Sequence, residues 1–185
     1  MILYLHGFCS SPAAWKSQLL AEEMARCGMA AQFVCPQLPT VPDEAVVSLS
    51  RLIEQADGPV TLIGSSLGGH YANHLVEKYD LKAVLINPAA VDRLDLARFV
   101  GDHANFHTGE PFTFTKAHAA QLQAQVRQPT PERYWLLAET GDEVLDYRQA
   151  VDFYAGCRQT VLPGGEHGFT QFPCFLPQII EFAGL

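Results

Sequence analysis

The chain has 185 residues, of which 48% are hydrophobic and 17% charged, and a formal net charge of −8. Such a composition is globular, and the length suits one domain that buries roughly 70% of its unfolded surface. It excludes a disordered chain, a nucleic-acid binder with the basic face that partner demands, and a membrane span, because no run nears about 18 apolar residues.

Met1-Ile2-Leu3-Tyr4-Leu5 has no basic n-region and no cleavage site, so it reads as a strand over Ile2–Leu5, not as a signal peptide. Ser11-Pro12 offers an N-cap and a first-turn proline for a helix that Gly28 would stop. A strand follows at Ala31–Val34, then a helical stripe of Val46, Leu49, Leu52, Ile53 and Ala56. The next strand, Val60–Ile63, leads into Gly64-Ser65-Ser66-Leu67-Gly68-Gly69 and a second stripe, Ala72, Leu75, Val76 and Tyr79. Strands at Ala83–Ile86, Tyr134–Ala138 and Thr160–Leu162 follow, with a stripe of Tyr147, Ala150, Val151 and Tyr154 between the last two. Phe172, Phe175, Leu176, Ile179 and Ile180 close the chain, with Pro177 making that helix start late or kink.

The strands are nearly continuous apolar runs, as in parallel strands buried on both faces. Their alternation with helices predicts an α/β fold: a mostly parallel, doubly wound sheet of about six strands with helices on both faces. Asn87 to Arg133 breaks the rhythm, with 47 residues between two strands. Short helices are expected near Leu94–Val100 and Lys116–Gln125, with a Gly/Pro/aromatic stretch, Asn105 to Thr115, between them. The whole reads as one domain, 1–185, with a cap or lid at about 87–133.

Gly64-Ser65-Ser66-Leu67-Gly68 matches G-x-S-x-G between an apolar strand and an amphipathic helix, the context of a nucleophile elbow. Glycine is needed at 64 and 68 because side chains there would collide across the turn. Ser66 needs a base, and of seven histidines His167 sits in a glycine-rich loop after the last strand. His70 and His74, one helical turn apart, could suggest a metal pair but lack the glutamate of H-E-x-x-H, and no metal or cofactor is expected. His103, His107 and His118 fall in the excursion and are expected to be exposed.

The orienting acid comes from Glu139-Thr140-Gly141-Asp142-Glu143-Val144-Leu145-Asp146. Asp146, with Gln149 three residues on, resembles a helix cap, which leaves Asp142 in the loop after the strand as the favoured acid. Glu139 and Glu143 are further competitors. The order Ser66, Asp142, His167 is that of the α/β-hydrolase fold. The oxyanion hole would use the backbone N–H groups of Leu67 and Phe8, the latter in His6-Gly7-Phe8 after the first strand. A rival would make Cys9 the nucleophile, although it sits in an oxyanion-type loop and not in an elbow.

Five cysteines, an odd number without C-x-x-C, are neither a disulfide framework nor a zinc site and suit a reducing cytoplasm. Phe106, Phe112 and Phe114 in the excursion would line a modest substrate pocket for small to medium acyl groups. The charge of −8 gives no help with a polyanionic leaving group, so uncharged esters rank above acyl-CoA thioesters. A non-catalytic binding protein on the same fold is the rival of a different class.

The chain resembles the small bacterial YqiA/YcfP-type esterases, a compact branch of the α/β-hydrolase superfamily, across essentially its whole length. The resemblance is carried by Tyr4-Leu5-His6-Gly7-Phe8 with Ser10-Ser11-Pro12, by Gly64–Gly69, by Asn87-Pro88-Ala89, by Thr140–Tyr147 and by Gly164–Phe169. It implies hydrolysis of a carboxylic ester or thioester by Ser66, Asp142 and His167 without a metal or cofactor. The partner is then a small acyl substrate, with neither nucleic acid nor membrane involved. The hairpin that usually precedes the His-Gly strand is missing from this pattern, since that strand begins at Ile2.

Overall fold

The computed structural model describes all 185 residues. Six segments form one parallel sheet: β1 (Ile2–Leu5), β2 (Phe33–Val34), β3 (Thr61–Ser65), β4 (Lys82–Ile86), β7 (Tyr134–Glu139) and β8 (Arg158–Leu162). Their spatial order is β2-β1-β3-β4-β7-β8. In register, Leu5 lies beside Gly64 and Ser65 beside Ile86. The C-terminal ends of β1, β3 and β7 therefore open on the same edge, where loops between parallel strands gather ligands.

Period-two alternation splits β1, β3, β4 and β7 between two cores. Leu3 and Leu5, Leu62, Leu85 and Leu136 join the core covered by α2 (Pro42–Glu54), α3 (Leu67–Tyr79), α4 (Lys116–Gln125) and α5 (Tyr147–Phe153). Ile2 and Tyr4, Ile63, Val84 and Trp135 face α1 (Trp15–Arg26) and α6 (Leu176–Phe182). Each fully buried side chain of this size contributes about 1.5–3 kcal/mol from removal of apolar area. No helix is long and apolar enough to cross a membrane.

Several elements differ from expectation. α1 starts at Trp15 and not at Ser11-Pro12, because Ser11 Oγ accepts from the Ala13 N–H at 3.1 Å and closes a separate turn. Ala30–Gln32 is a 3-10 turn, which shortens β2 to two residues. The expected helix at Leu94–Val100 is a 3-10 turn over Leu96–Phe99, opened by Asp95 accepting from the Ala97 N–H. The stretch before α4 forms an antiparallel hairpin of β5 (Gly101–Ala104) and β6 (Pro111–Phe114). α6 begins at Leu176 with Pro177 in its first turn, the late start its proline demands.

His74 Nδ1–H donates to the Gln125 carbonyl at 2.9 Å, while His70 is buried at 2% exposure and its Nε2 has no hydrogen-bond partner. Burial lowers the His70 imidazole to about 4. Its folded pKa thus lies below the unfolded value of about 6.5, and protonation favours the unfolded chain. The stability tied to neutral His70 is complete above that value and drains away as pH falls towards 4. Urea melts should therefore show wild type losing roughly 3 kcal/mol relative to His70→Gln between pH 7 and pH 4. A difference independent of pH would remove His70 as the titrating group.

Candidate active site

β3 runs straight into α3 through Ser66, whose φ of 54° and ψ of −121° are unusual for a side-chain-bearing residue. Backbone bonds clamp this turn: Ser66 N–H donates to Ile86 O at 3.0 Å, and Ser66 O accepts from Gly69 and Ala89 N–H at 2.9 and 3.0 Å. A Cβ on Gly64 would fall 2.5 Å from Gly68 O, and one on Gly68 would collide with the Leu5 carbonyl. Both glycines are thus required by close backbone approach.

The turn brings Ser66 Oγ to 3.1 Å from His167 Nε2. On the far side of the ring, His167 Nδ1 lies 2.8 and 2.9 Å from the two oxygens of Asp142. An ionised carboxylate only accepts, so Nδ1 carries the proton and Nε2 offers its lone pair to the Ser66 hydroxyl. The Asp142 side chain is 1% exposed and the His167 ring 22%, so the acid is shielded while the base reaches the cavity. Asp142 Oδ1 also accepts from the N–H groups of Val144 and Leu145 at 2.9 and 2.8 Å. Asp146 is absent from this group; it caps α5 by accepting from the Arg148 N–H at 3.1 Å.

Leu67 is the first residue of α3, so its N–H has no acceptor within the helix. The Phe8 N–H, in the loop after β1, makes no backbone bond either. Gly7 lets this loop close on the serine, since a Cβ there would sit 3.2 Å from Ser66 Cβ. The Phe8 ring is caged edge-on by His103 at 4.9 Å, Phe114 at 5.4 Å, Phe112 at 5.5 Å and Phe99 at 6.2 Å between centroids. The hairpin tip is tied to the same loop: Phe106 N–H donates to Cys9 O at 2.7 Å, and Asn105 Nδ2–H to Ser10 O at 2.8 Å.

Ser66, Leu67, Phe8 and His167 border a cavity of about 490 Å³. The excursion supplies much of its wall, through Val91, Leu94, Leu96, Phe99, Phe106 and Phe114. Phe106, 78% exposed, stands at the mouth. Phe112 is a correction to the sequence reading. It lines a smaller neighbouring cavity of about 40 Å³, because its ring is used against Phe8 and stacked on His103 at 5.6 Å. The expected exposure of His103 and His118 also fails. His103 Nε2–H donates to Phe99 O at 2.7 Å, and His118 closes a capping box with Thr115 at the start of α4; of the three only His107 is exposed.

Sequence reasoning missed Lys16. It lies one and two turns before Leu20 and Met24 on the buried face of α1, a spacing that could have placed it. Lys16 is 8% exposed and borders the cavity, and its ammonium donates to Gly168 O at 2.7 Å, beside His167. Burial lowers it to about 8 against the pull of the Glu139, Asp142 and Glu166 carboxylates.

A parallel sheet in this strand order, with a serine on the tight turn after β3 and a histidine on the loop after β8, is an α/β-hydrolase fold. A provisionally named hydrolase from Agrobacterium vitis S4 superposes with a TM-score of 0.73 at 18% identity, covering 98% of this chain and 87% of that one. Mouse alpha/beta hydrolase domain-containing protein 10 gives 0.70 at 18% identity, covering 97% and 89%. A structure of the metagenome-derived lipolytic enzymes LipS and LipT gives 0.71 at 17% identity, covering 99% and 92%. By sequence, the chain belongs to the uncharacterised protein family UPF0227, whose family model matches residues 1–184.

Proposed function

We propose that the protein is a serine hydrolase of carboxylic esters. The observation that carries this reading is the continuous chain from Ser66 through His167 to Asp142, at 3.1 and 2.8 Å, at the edge of an apolar cavity. His167 takes the Ser66 proton as the oxygen attacks the acyl carbon, and Asp142 holds the imidazole tautomer and stabilises the imidazolium. The tetrahedral oxyanion is held by the N–H groups of Phe8 and Leu67, with the positive end of α3 beneath it. His167 then protonates the leaving alcohol, and water hydrolyses the acyl-enzyme by the same relay. No metal or cofactor takes part in this scheme.

The substrate is a small to medium acyl ester, the segment 87–133 acting as a cap over the acyl group. Five free cysteines, two of them exposed, support action in a reducing cytoplasm. Each buried CH₂ contributes about 0.8 kcal/mol, so kcat/KM should rise with chain length until the cavity is full and then fall. The test is a series of p-nitrophenyl esters from C2 to C16 beside matched acyl-CoA thioesters. A maximum at short to medium length is expected, with acyl-CoA slower than the matched ester. A steady climb to C16, or acyl-CoA turnover above every ester, would overturn the substrate assignment; no turnover of any ester would overturn the hydrolase reading.

A further inference from the structure

The segment that leaves the end of β7 carries three carboxylates, and all three address the loop that bears His167. Asp142 meets the imidazole, and Glu143 Oε2 accepts from the His167 N–H at 3.0 Å. Glu139, which is fully buried, accepts from the N–H groups of Glu166 at 2.8 Å, Thr170 at 3.2 Å and Gln171 at 3.1 Å. The Thr170 hydroxyl adds a fourth bond at 3.3 Å. A carboxylate this deep is tolerated only when its oxygens are saturated with donors, and here one loop supplies them all.

The same loop is gripped elsewhere. Asn87 Nδ2–H donates to the carbonyls of Glu166 and His167 at 3.0 and 3.1 Å, and its Oδ1 accepts from the Glu139 N–H at 2.9 Å. Gly165 leaves the room for this, because a Cβ there would collide with the Glu139 carboxylate. The residues from Pro163 to Gln171 have no helix or strand of their own to fix them.

We propose that Glu139 is a positioning residue for His167. It takes no part in proton transfer, and it sets the depth and tilt of the imidazole by holding the backbone on either side of it. This rests on the hydrolase reading and extends it to a buried acid behind the reacting groups. In Glu139→Gln the amide keeps the shape but turns an NH₂ group towards backbone donors, so at least one loop N–H loses its acceptor. A displacement of about 1 Å is enough to lower kcat on the order of 10²-fold.

The test combines p-nitrophenyl ester kinetics, thermal unfolding and the downfield proton NMR resonance of the His167–Asp142 hydrogen bond, in wild type, Glu139→Gln and Glu139→Asp. For the folded glutamine variant we expect a kcat lowered about 30- to 100-fold, a nearly unchanged KM and a shifted or broadened resonance. The aspartate variant, with charge kept and reach shortened, should fall between it and wild type. If the glutamine variant does not fold, the aspartate variant alone must still show the lowered kcat and altered resonance. Variants with a lower melting temperature but wild-type kcat and an unmoved resonance would overturn the proposal, since that is the pattern of a merely structural role. If wild type hydrolyses no ester, the hydrolase reading fails, and the resonance alone decides whether Glu139 positions His167.

Discussion

Replacing Ser66 by alanine should abolish covalent labelling by a fluorophosphonate and lower ester turnover on the order of 10⁶-fold, the scale on which a lost nucleophile disables a serine hydrolase. The expectation follows from the turn. Ser66 is the residue raised at the junction of β3 and α3, 3.1 Å from the lone pair of His167 Nε2. The competing nucleophile, Cys9, also borders the cavity, with a positive φ of 56°. Burial raises its thiol pKa, however, which keeps it protonated and a poor nucleophile. Mass spectrometry of the labelled protein decides between them: labelling that survives in Ser66→Ala and vanishes in Cys9→Ala would assign the chemistry to the cysteine.

The second large effect is expected at Asp142. Asp142→Asn should lower kcat on the order of 10⁴-fold with little loss of stability. Its Oδ1 accepts from the N–H groups of Val144 and Leu145, and an asparagine oxygen can keep both bonds. The amide NH₂ then replaces the oxygen 2.8 Å from Nδ1 of His167, which favours the tautomer with the ring proton on Nε2. A proton there faces the Ser66 hydroxyl, and the ring can no longer act as a base. Asp146→Ala is the control. It removes the cap of α5 and should lower the melting temperature modestly while leaving kcat unchanged. The reverse pattern in the two variants would move the acid role to Asp146.

The central strands of the main sheet, β1, β3, β4 and β7, were legible because each is a largely apolar run with a turn or helix signal beside it. Ser66, Asp142 and His167 were legible because each lies just past a strand end, where sequence order alone puts residues on one edge of a parallel sheet. The β5–β6 hairpin was not. Its strands are four residues long, Pro111 weighs against a strand, and His103 and Asp102 conceal the alternation. The contacts of Lys16, Asn87 and Glu139 were equally hidden. Glu139 stood in the reading only as a competing acid, yet its partners are backbone groups 27 to 32 residues away. Phe112 was assigned to the pocket on composition, while its position is settled by contact with Phe8, more than 100 residues earlier in the chain.

The cage around Phe8 couples the wall of the cavity to the loop after β1. Phe99 and Phe114, which line the cavity, also pack against the ring of Phe8, the residue proposed to hold the oxyanion, and the hairpin tip is bonded to the next two residues of the same loop. In many catalysts, a specificity segment can drift while the reaction centre stays fixed. Here Phe99 and Phe114 belong to both the cavity wall and the cage, so a substitution at either is expected to move the pocket shape and the Phe8 loop together. A change of diet for this fold would start more easily from Val91, Leu94 or Leu96, which border the cavity without contributing to the aromatic cage.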